Sequence, residues 1–189
     1  MTSFFITHPE VDVHPQVPID RWRLSRVGVE RAEQISRVVA HPIDVIVTSA
    51  EEKAIQTAEI LAATLGLSVH VEPSVGELNR SSTGFLPPAE FDVVVNEFFA
   101  SPMKSARGWE RATDAQSRVV KAVQHHTADS STNVAFVAHG GVGALLMASL
   151  LRVPISRALD QPDLGSYFSF GSSTWELERG WQRIPDRGR

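Results

Sequence analysis

The chain has 189 residues, of which 42% are hydrophobic and 21% charged, with a formal net charge of −4 and no cysteine. This composition is ordinary for a globular protein and excludes disordered or fibrous chains, disulfide frameworks, thiolate zinc sites and cysteine nucleophiles. No broad basic run or eighteen-residue apolar stretch occurs, so we expect no nucleic-acid or membrane partner, a cytoplasmic location and a single domain over residues 1–189.

Strands and helices alternate along the first part of the chain. Residues 3–7 form a β-prone run that stops at His8-Pro9, because proline has no N–H for strand pairing. Helical spacing of apolar residues follows over 25–40, with Ser25 as the N-cap. The next predicted elements are a strand over 43–47, a helix that begins at a Ser49–Glu52 capping box and stops at Gly66, and a strand over 67–71.

The second part begins with a long turn-rich loop over residues 73–88, a length typical of functional loops. The elements predicted after it are helices over 89–100 and 109–126, a strand over 133–138, a helix from the glycines after His139 to Leu151, strands over 167–170 and 174–177, and a frayed tail past Gly180. This alternation predicts an α/β fold, a three-layer α/β/α sandwich around a mostly parallel sheet. Ligands of such sheets bind at the carboxyl ends of the strands, where His8, Ser49 and His139 fall.

His8 and His139 are the two of the seven histidines that directly follow apolar strands. Most histidines in a protein of this size have no catalytic role, so their positions in the fold have to distinguish the functional ones from the others. A neutral imidazole attacks phosphorus when its second ring nitrogen is fixed by a hydrogen bond, giving a phosphohistidine that water later hydrolyses. Gly140 and Gly141 let the backbone approach a phosphate, and the following helix directs its N-terminal amides at it.

Several separated motifs resemble, in their order, those of the histidine phosphatase superfamily, also called phosphoglycerate-mutase-like, over nearly the whole chain. Residues 5–9 resemble the strand followed by Arg-His-Gly, and residues 24–28 resemble the Leu-Ser/Thr-x-x-Gly helix start. Further similarities cover 48–58 (Ser-Ser-Pro-x-x-Arg-Ala-x-Gln-Thr-Ala), the acidic position at 77–78, the Gly-Glu-Ser region at 108–110 and the Ser-His-Gly-Gly motif at 137–142.

The resemblance implies a phosphoglycerate-mutase-like fold and a phosphohydrolase that acts on a small phosphorylated molecule and needs no metal or other cofactor. It implies that His8 is the nucleophile, that His139 is a phosphate ligand and that Glu77 is the general acid for the leaving oxygen. For Glu77 the alternative is a solvated loop carboxylate. Gly140 belongs to the expected phosphate-binding residues.

Two family arginines that bind the phosphoryl group are replaced in this sequence. Thr7 stands in the first position and offers one hydroxyl donor without charge, while Lys53 stands in the second and offers a point cation instead of a planar fork. Our hypothesis is that Arg21 or Arg80 replaces a missing guanidinium. The alternative is that both arginines are solvated surface charges.

The missing arginines also motivate a rival interpretation, a phosphate-binding relative without catalysis that has a sensory or regulatory role. A mutase is less favoured, because no C-terminal lid is evident in residues 180–189. A metal site of His8, His14 and His139 is disfavoured, since their spacing matches no compact ligand motif. The substrate's identity and the oligomeric state stay open.

Overall fold

The computed structural model describes residues 1–39, 41–129 and 131–188, which fold around one six-stranded sheet. The strands are β1 (Thr2–Thr7), β2 (Val45–Thr48), β3 (Val69–Val71), β4 (Val134–Ala138), β5 (Ser166–Gly171) and β6 (Leu177–Arg183). The helices are α1 (Arg26–Ala32), α2 (Ile35–Val38), α3 (Glu52–Leu65), α4 (Pro88–Ala100), α5 (Ala112–His126) and α6 (Gly140–Leu151). Short 3-10 turns lie at Ile19–Arg21, Pro73–Val75 and Arg157–Leu159.

The strand order in the sheet is β3-β2-β4-β1-β5-β6. Pairing is parallel from β3 to β1, whereas β5 and β6 are antiparallel to their neighbours. Val137 of β4 lies opposite Ile6 on one side and Thr48 on the other. The residues that follow β1, β2 and β4 therefore meet at one edge, as the α/β prediction required.

Helices cover both faces of the sheet, which confirms the three-layer architecture. On one face α4, α5 and α6 pack against strand residues such as Phe5 and Phe136. On the other face α1, α2 and α3 pack against Ile6 and Ile46. Successive strand residues point to opposite faces, so a central strand must be apolar on both, and burying each such side chain contributes about 1.5–3 kcal/mol.

The loop after His8 is clamped by the start of α1. Ser25 caps this helix as predicted, its hydroxyl accepting from the Gly28 N–H at 3.1 Å. The Ser25 N–H donates to the Glu10 carbonyl at 2.9 Å. A Cβ on Gly28 would lie 2.1 Å from that carbonyl oxygen, so only glycine permits this contact. The Leu-Ser-x-x-Gly pattern thus has a structural reason, the close approach of α1 to the chain beyond His8.

Two predictions about the helices were wrong. The helix predicted over 25–40 is divided into α1 and α2 by a turn at Glu33 and Gln34, and its last residue, Ala40, lies outside the described residues. The capping box at Ser49 does not form, because α3 begins only after Glu51, whose side chain makes no capping hydrogen bond. Gly66 ends α3 in the left-handed conformation, with φ 70°, as predicted.

The last strand lies later than predicted. Residues 172–174 form a turn and Trp175 is left-handed, with φ 54°, so the strand expected over 174–177 is displaced to β6. The tail expected to fray past Gly180 is instead paired with β5. Trp181 packs edge-on against Phe168, with ring centroids 4.8 Å apart, and tertiary packing of this kind outweighs the local signal of an Arg-rich end.

Candidate active site

His8 lies immediately after β1 at the sheet edge and is bound by backbone on both sides. Its N–H donates to the Ala138 carbonyl at 3.2 Å, and its carbonyl accepts from the Gly165 N–H at 3.0 Å. The ring Nδ1 lies 2.8 Å from the Pro9 carbonyl oxygen, which only accepts, so Nδ1 carries the proton. Nε2 is thereby left with a free lone pair, the arrangement that a nucleophilic imidazole needs.

Burial keeps this imidazole neutral. The pKa of His8 is lowered to about 4, mainly by removal from water and in part by the positive charge of Lys53, against the opposing effect of the hydrogen bond to Pro9. A neutral His8 at pH 7 retains its nucleophilic lone pair.

His139 lies directly after β4, beside His8. The two ring centroids are 5.2 Å apart at an interplanar angle of 69°. Nε2 lies 2.7 Å from the Ser49 hydroxyl oxygen and 3.3 Å from Glu51 Oε1, while the buried Nδ1 makes no hydrogen bond with any described residue. Burial lowers the pKa of His139 well below its usual range, so this ring too is neutral at pH 7.

Lys53 is a buried cation at the start of α3, only 3% exposed. Its amine donates to the Ile19 carbonyl at 2.9 Å and forms an ion pair with Glu51. Helix α3 thus carries its lysine inward, beside the two histidines. The charge expected at this family position is present, but a carboxylate already neutralises part of it.

Glu51 was not among the predicted site residues, and it occupies the centre of the site. Its carboxylate contacts the Lys53 amine and His139 Nε2, and it accepts from the Glu77 N–H at 2.9 Å. Burial acts to raise the pKa of Glu51, but neighbouring His139 and Lys53 outweigh it and hold that pKa well below its usual range. Because His139 is neutral at pH 7, Lys53 is the partner that carries a positive charge beside this carboxylate at that pH.

Glu77 is brought to the site by the long loop, and the residue as a whole is half-buried there. Oε1 accepts from the Leu78 N–H at 2.9 Å, and Oε2 accepts from the Gly141 N–H at the start of α6 at 3.3 Å. Burial raises the pKa of Glu77, and the charge of Glu51 raises it further. A carboxyl group with a raised pKa suits proton donation to a leaving oxygen.

Arg80 lies near Glu77, whereas Arg21 does not. The Arg80 guanidinium carbon is 4.9 Å from the centroid of the Phe91 ring, and its charge lowers the pKa of His8. Arg21 is exposed at the end of a 3-10 turn and lines neither of the two cavities of the site. Of the two arginines proposed to replace a guanidinium, the geometry favours Arg80.

Thr7 points towards the loop before β5. Its hydroxyl donates to Gln161 Oε1 at 2.6 Å and accepts from the Ser166 N–H at 2.9 Å. The single hydroxyl proton is therefore already used within the protein. Gly140, the first residue of α6, leaves room for Gln161, since a Cβ there would lie 2.5 Å from Gln161 Nε2.

Two cavities open onto these residues and share Glu77, Leu78 and Arg80. The first has a volume of about 430 Å³, and Ile19, Asp20, Glu51 and Asn79 are among the residues that line it. The second has a volume of about 180 Å³, and its lining includes His8, Gly140, Gln161, Phe91 and Trp109. His139 lines neither, so its role as a phosphate ligand stays a prediction.

His14 is exposed, and within the part of the chain that the structure describes no group of three histidine, aspartate or glutamate side chains is placed to bind a metal ion. Across residues 1–39, 41–129 and 131–188, no helix has the length and apolar character needed to cross a membrane.

Sequence reasoning missed Glu51 and Gln161. Glu51 falls inside a motif that was recognised, two residues before the lysine that departs from it, so a carboxylate there was the available signal. Gln161 gave no such signal, because 154 positions of sequence separate it from Thr7, the residue that it contacts. Only the folded sheet shows that they touch.

The chain matches a known protein family. The family model described as histidine phosphatase superfamily (branch 1) matches residues 13–179. The matched span contains Lys53, Glu77 and His139 but begins after His8. A search of curated proteins finds no match.

Solved structures with the same fold are numerous. A mycobacterial glucosyl-3-phosphoglycerate phosphatase is 24% identical with a TM-score of 0.77, covering 96% of this chain and 95% of that one. YhfR of Bacillus stearothermophilus is 20% identical with a TM-score of 0.76, covering 94% of each chain. A putative alpha-ribazole-5'-P phosphatase from Escherichia coli is 17% identical with a TM-score of 0.71, covering 99% of this chain and 97% of that one. With its fold shared and its family model matched over most of its length, the chain belongs to the histidine phosphatase superfamily, branch 1, and is accordingly a phosphatase.

Proposed function

We propose that this chain is a metal-independent phosphomonoesterase that works through a phosphohistidine on His8. The observation that supports this most directly is the hydrogen bond of 2.8 Å between His8 Nδ1 and the Pro9 carbonyl. It fixes the tautomer and the orientation of a neutral ring that lines a cavity. No other histidine of the described chain combines a fixed tautomer with access to a cavity of this site.

In the first step, the lone pair of His8 Nε2 attacks phosphorus and forms an N–P bond. The ester P–O bond breaks, and the departing oxygen takes the proton of the Glu77 carboxyl group, leaving as an alcohol. Burial and the nearby charge of Glu51 raise the pKa of Glu77, which favours the protonated form that this step needs. The products are phospho-His8, a Glu77 carboxylate and the free alcohol.

In the second step, water attacks the phosphorus of phospho-His8 while the Glu77 carboxylate takes one of its protons. The N–P bond breaks, its electrons return to Nε2, and inorganic phosphate leaves. His8 is again neutral and Glu77 is again protonated, so the cycle closes without a metal or a second substrate.

The charge on the transferred group is stabilised by Lys53, by Arg80 and by the N-terminal amides of α6 that follow His139. The His139 ring, next to His8, is proposed to contribute a hydrogen bond as the phosphoryl group forms. Glu51 acts against these groups because it neutralises Lys53. We therefore expect phosphate to bind weakly for a protein of this family.

The substrate class is proposed to be small phosphomonoesters. The two cavities, of about 430 and 180 Å³, have room for a small molecule beside the phosphoryl group. One structure with the same fold is described as a complex of mycobacterial glucosyl-3-phosphoglycerate phosphatase with inorganic phosphate, which supports a small phosphorylated ligand as the class.

The test is turnover of p-nitrophenyl phosphate and a panel of sugar and glycerate phosphates, with EDTA present. We expect turnover that survives EDTA and falls on the order of 10³-fold or more in His8→Asn. His14→Asn, a change at an exposed histidine, is the matched control. If the native protein binds orthovanadate but hydrolyses no ester of the panel, the non-catalytic phosphate-binding interpretation replaces this one.

A further inference from the structure

Thr7, directly before His8, is not placed to donate a hydrogen bond to a phosphoryl group itself. Thr7 is completely buried, and its hydroxyl is shared between Gln161 and Ser166. It therefore has no proton left for a substrate.

The Gln161 amide is held in one orientation by Thr7. The Thr7 hydroxyl lies 2.6 Å from Gln161 Oε1 and 3.1 Å from the Ser166 carbonyl oxygen, and the shorter contact takes its one proton. Nε2 is then directed towards the first residue of α6. Nε2 carries two N–H donors, and it makes no hydrogen bond with the described residues. The backbone on the other side is Gly140, which has no side chain to occupy the intervening space.

Gln161 and Gly140 line the same cavity as His8, and Gly140 is the first residue of α6. Amide side chains are effective donors to developing oxyanions, provided that they are oriented before the reaction. From this geometry, and resting on the function proposed above, we infer that Gln161 Nε2 is a catalytic hydrogen-bond donor to the transferring phosphoryl group.

Thr7 is then a positioning residue, because it acts on the phosphoryl group only through Gln161. The pair takes the place of a guanidinium with two neutral side chains from distant parts of the sequence. It supplies donors without charge, so it should stabilise the transition state more than it improves the binding of the ground state.

Two substitutions separate this role from simple packing. Gln161→Leu removes the donors without adding charge, and Gln161→Glu keeps the volume and the acceptor for Thr7 but replaces the donor with a carboxylate. Gln124→Leu, at an exposed position of α5, is the matched control. The measurements are kcat and KM for p-nitrophenyl phosphate, the Kd of orthovanadate, and Tm.

In Gln161→Leu we expect kcat to fall on the order of 10²-fold with a smaller change in KM. In Gln161→Glu we expect the Kd of orthovanadate to rise at least tenfold while Tm stays close to native. A double variant, Thr7→Arg with Gln161→Ala, should recover at least tenfold of the kcat/KM lost in Gln161→Ala alone, because the guanidinium returns to its family position.

The inference is overturned if both single variants keep kcat/KM and the orthovanadate Kd within twofold of the native values. It is equally overturned if every loss of activity or of orthovanadate binding is accompanied by a fall in Tm. The orthovanadate measurement needs no turnover, so it decides the role of Gln161 even if the phosphohistidine mechanism fails. Conversely, loss of turnover in His8→Asn together with native behaviour of Gln161→Leu would leave the proposed function standing without this donor.

Discussion

Replacing Glu51 with glutamine is expected to strengthen the binding of phosphate. The Glu51 carboxylate lies 3.3 Å from His139 Nε2 and pairs with Lys53, so it places a negative charge among the groups proposed to bind an anion. Glutamine has the same shape, and its amide oxygen is still able to accept from the Glu77 N–H. The substitution therefore removes charge and frees Lys53 while the loop contact remains.

The size of the effect follows from Coulomb's law. If the bound anion and the Glu51 carboxylate are taken to be about 6 Å apart, their repulsion amounts to ~3 kcal/mol per unit charge at an effective dielectric constant of 20. The paired Lys53 cancels much of this repulsion, so we expect a net gain of about 1.4 kcal/mol. This corresponds to a tenfold lower Kd.

The assay is isothermal titration calorimetry of orthophosphate and orthovanadate at constant ionic strength. Glu52→Gln is the matched control, because Glu52 is the adjacent carboxylate and is exposed on α3. A Kd that is unchanged or higher in Glu51→Gln, with Tm preserved, would refute the reasoning. An equal decrease in both variants would show that only net charge matters.

Three further results are expected from the same structure. The free energy of unfolding should fall by up to ~3 kcal/mol between pH 6.5 and 4. The reason is that the pKa of His8 in the folded protein, about 4, lies below its value in the unfolded chain, so the unfolded chain binds the proton first. Urea unfolding should show a weaker pH dependence in His8→Asn. Arg31 is 1% exposed and donates to the Gly165 and Ile184 carbonyls. Chemical denaturation of Arg31→Ala should therefore show a free energy of unfolding about 3–5 kcal/mol lower than native. The same measurement on Arg26→Ala, at an exposed position, should show a decrease of under about 0.5 kcal/mol. Glu77→Gln should slow hydrolysis of alkyl phosphates on the order of 10²-fold but affect p-nitrophenyl phosphate much less, because that leaving group needs no proton; equal losses for both would speak against a general acid.

The sequence is sufficient to predict the architecture because local signals and the global fold agree over most of the chain. The apolar strand before His8, the glycine after α3 and the strand before His139 all have the structure that their local chemistry favours. The position of β6 was missed because its stability comes from Trp181 packing against Phe168 and from pairing with β5, neither of which has a local signature.

The site was only partly predictable for a similar reason. The strand ends place His8 and His139 together, and a recognised motif places Lys53 near them. The ion pair of Lys53 with Glu51 depends on side-chain directions at the start of α3, and the contact between Thr7 and Gln161 depends on how the β5 loop returns to β1. Spacing along the chain does not encode either contact.

The most direct test of the central claim is a rapid acid-free quench of the protein with a ³²P-labelled phosphomonoester, followed by peptide mapping. A phosphohistidine mechanism predicts label that is stable to base, released by acid, confined to the peptide containing His8, and formed and lost at rates compatible with turnover. Turnover without any labelled protein, or label that persists unchanged in His8→Asn, would contradict it.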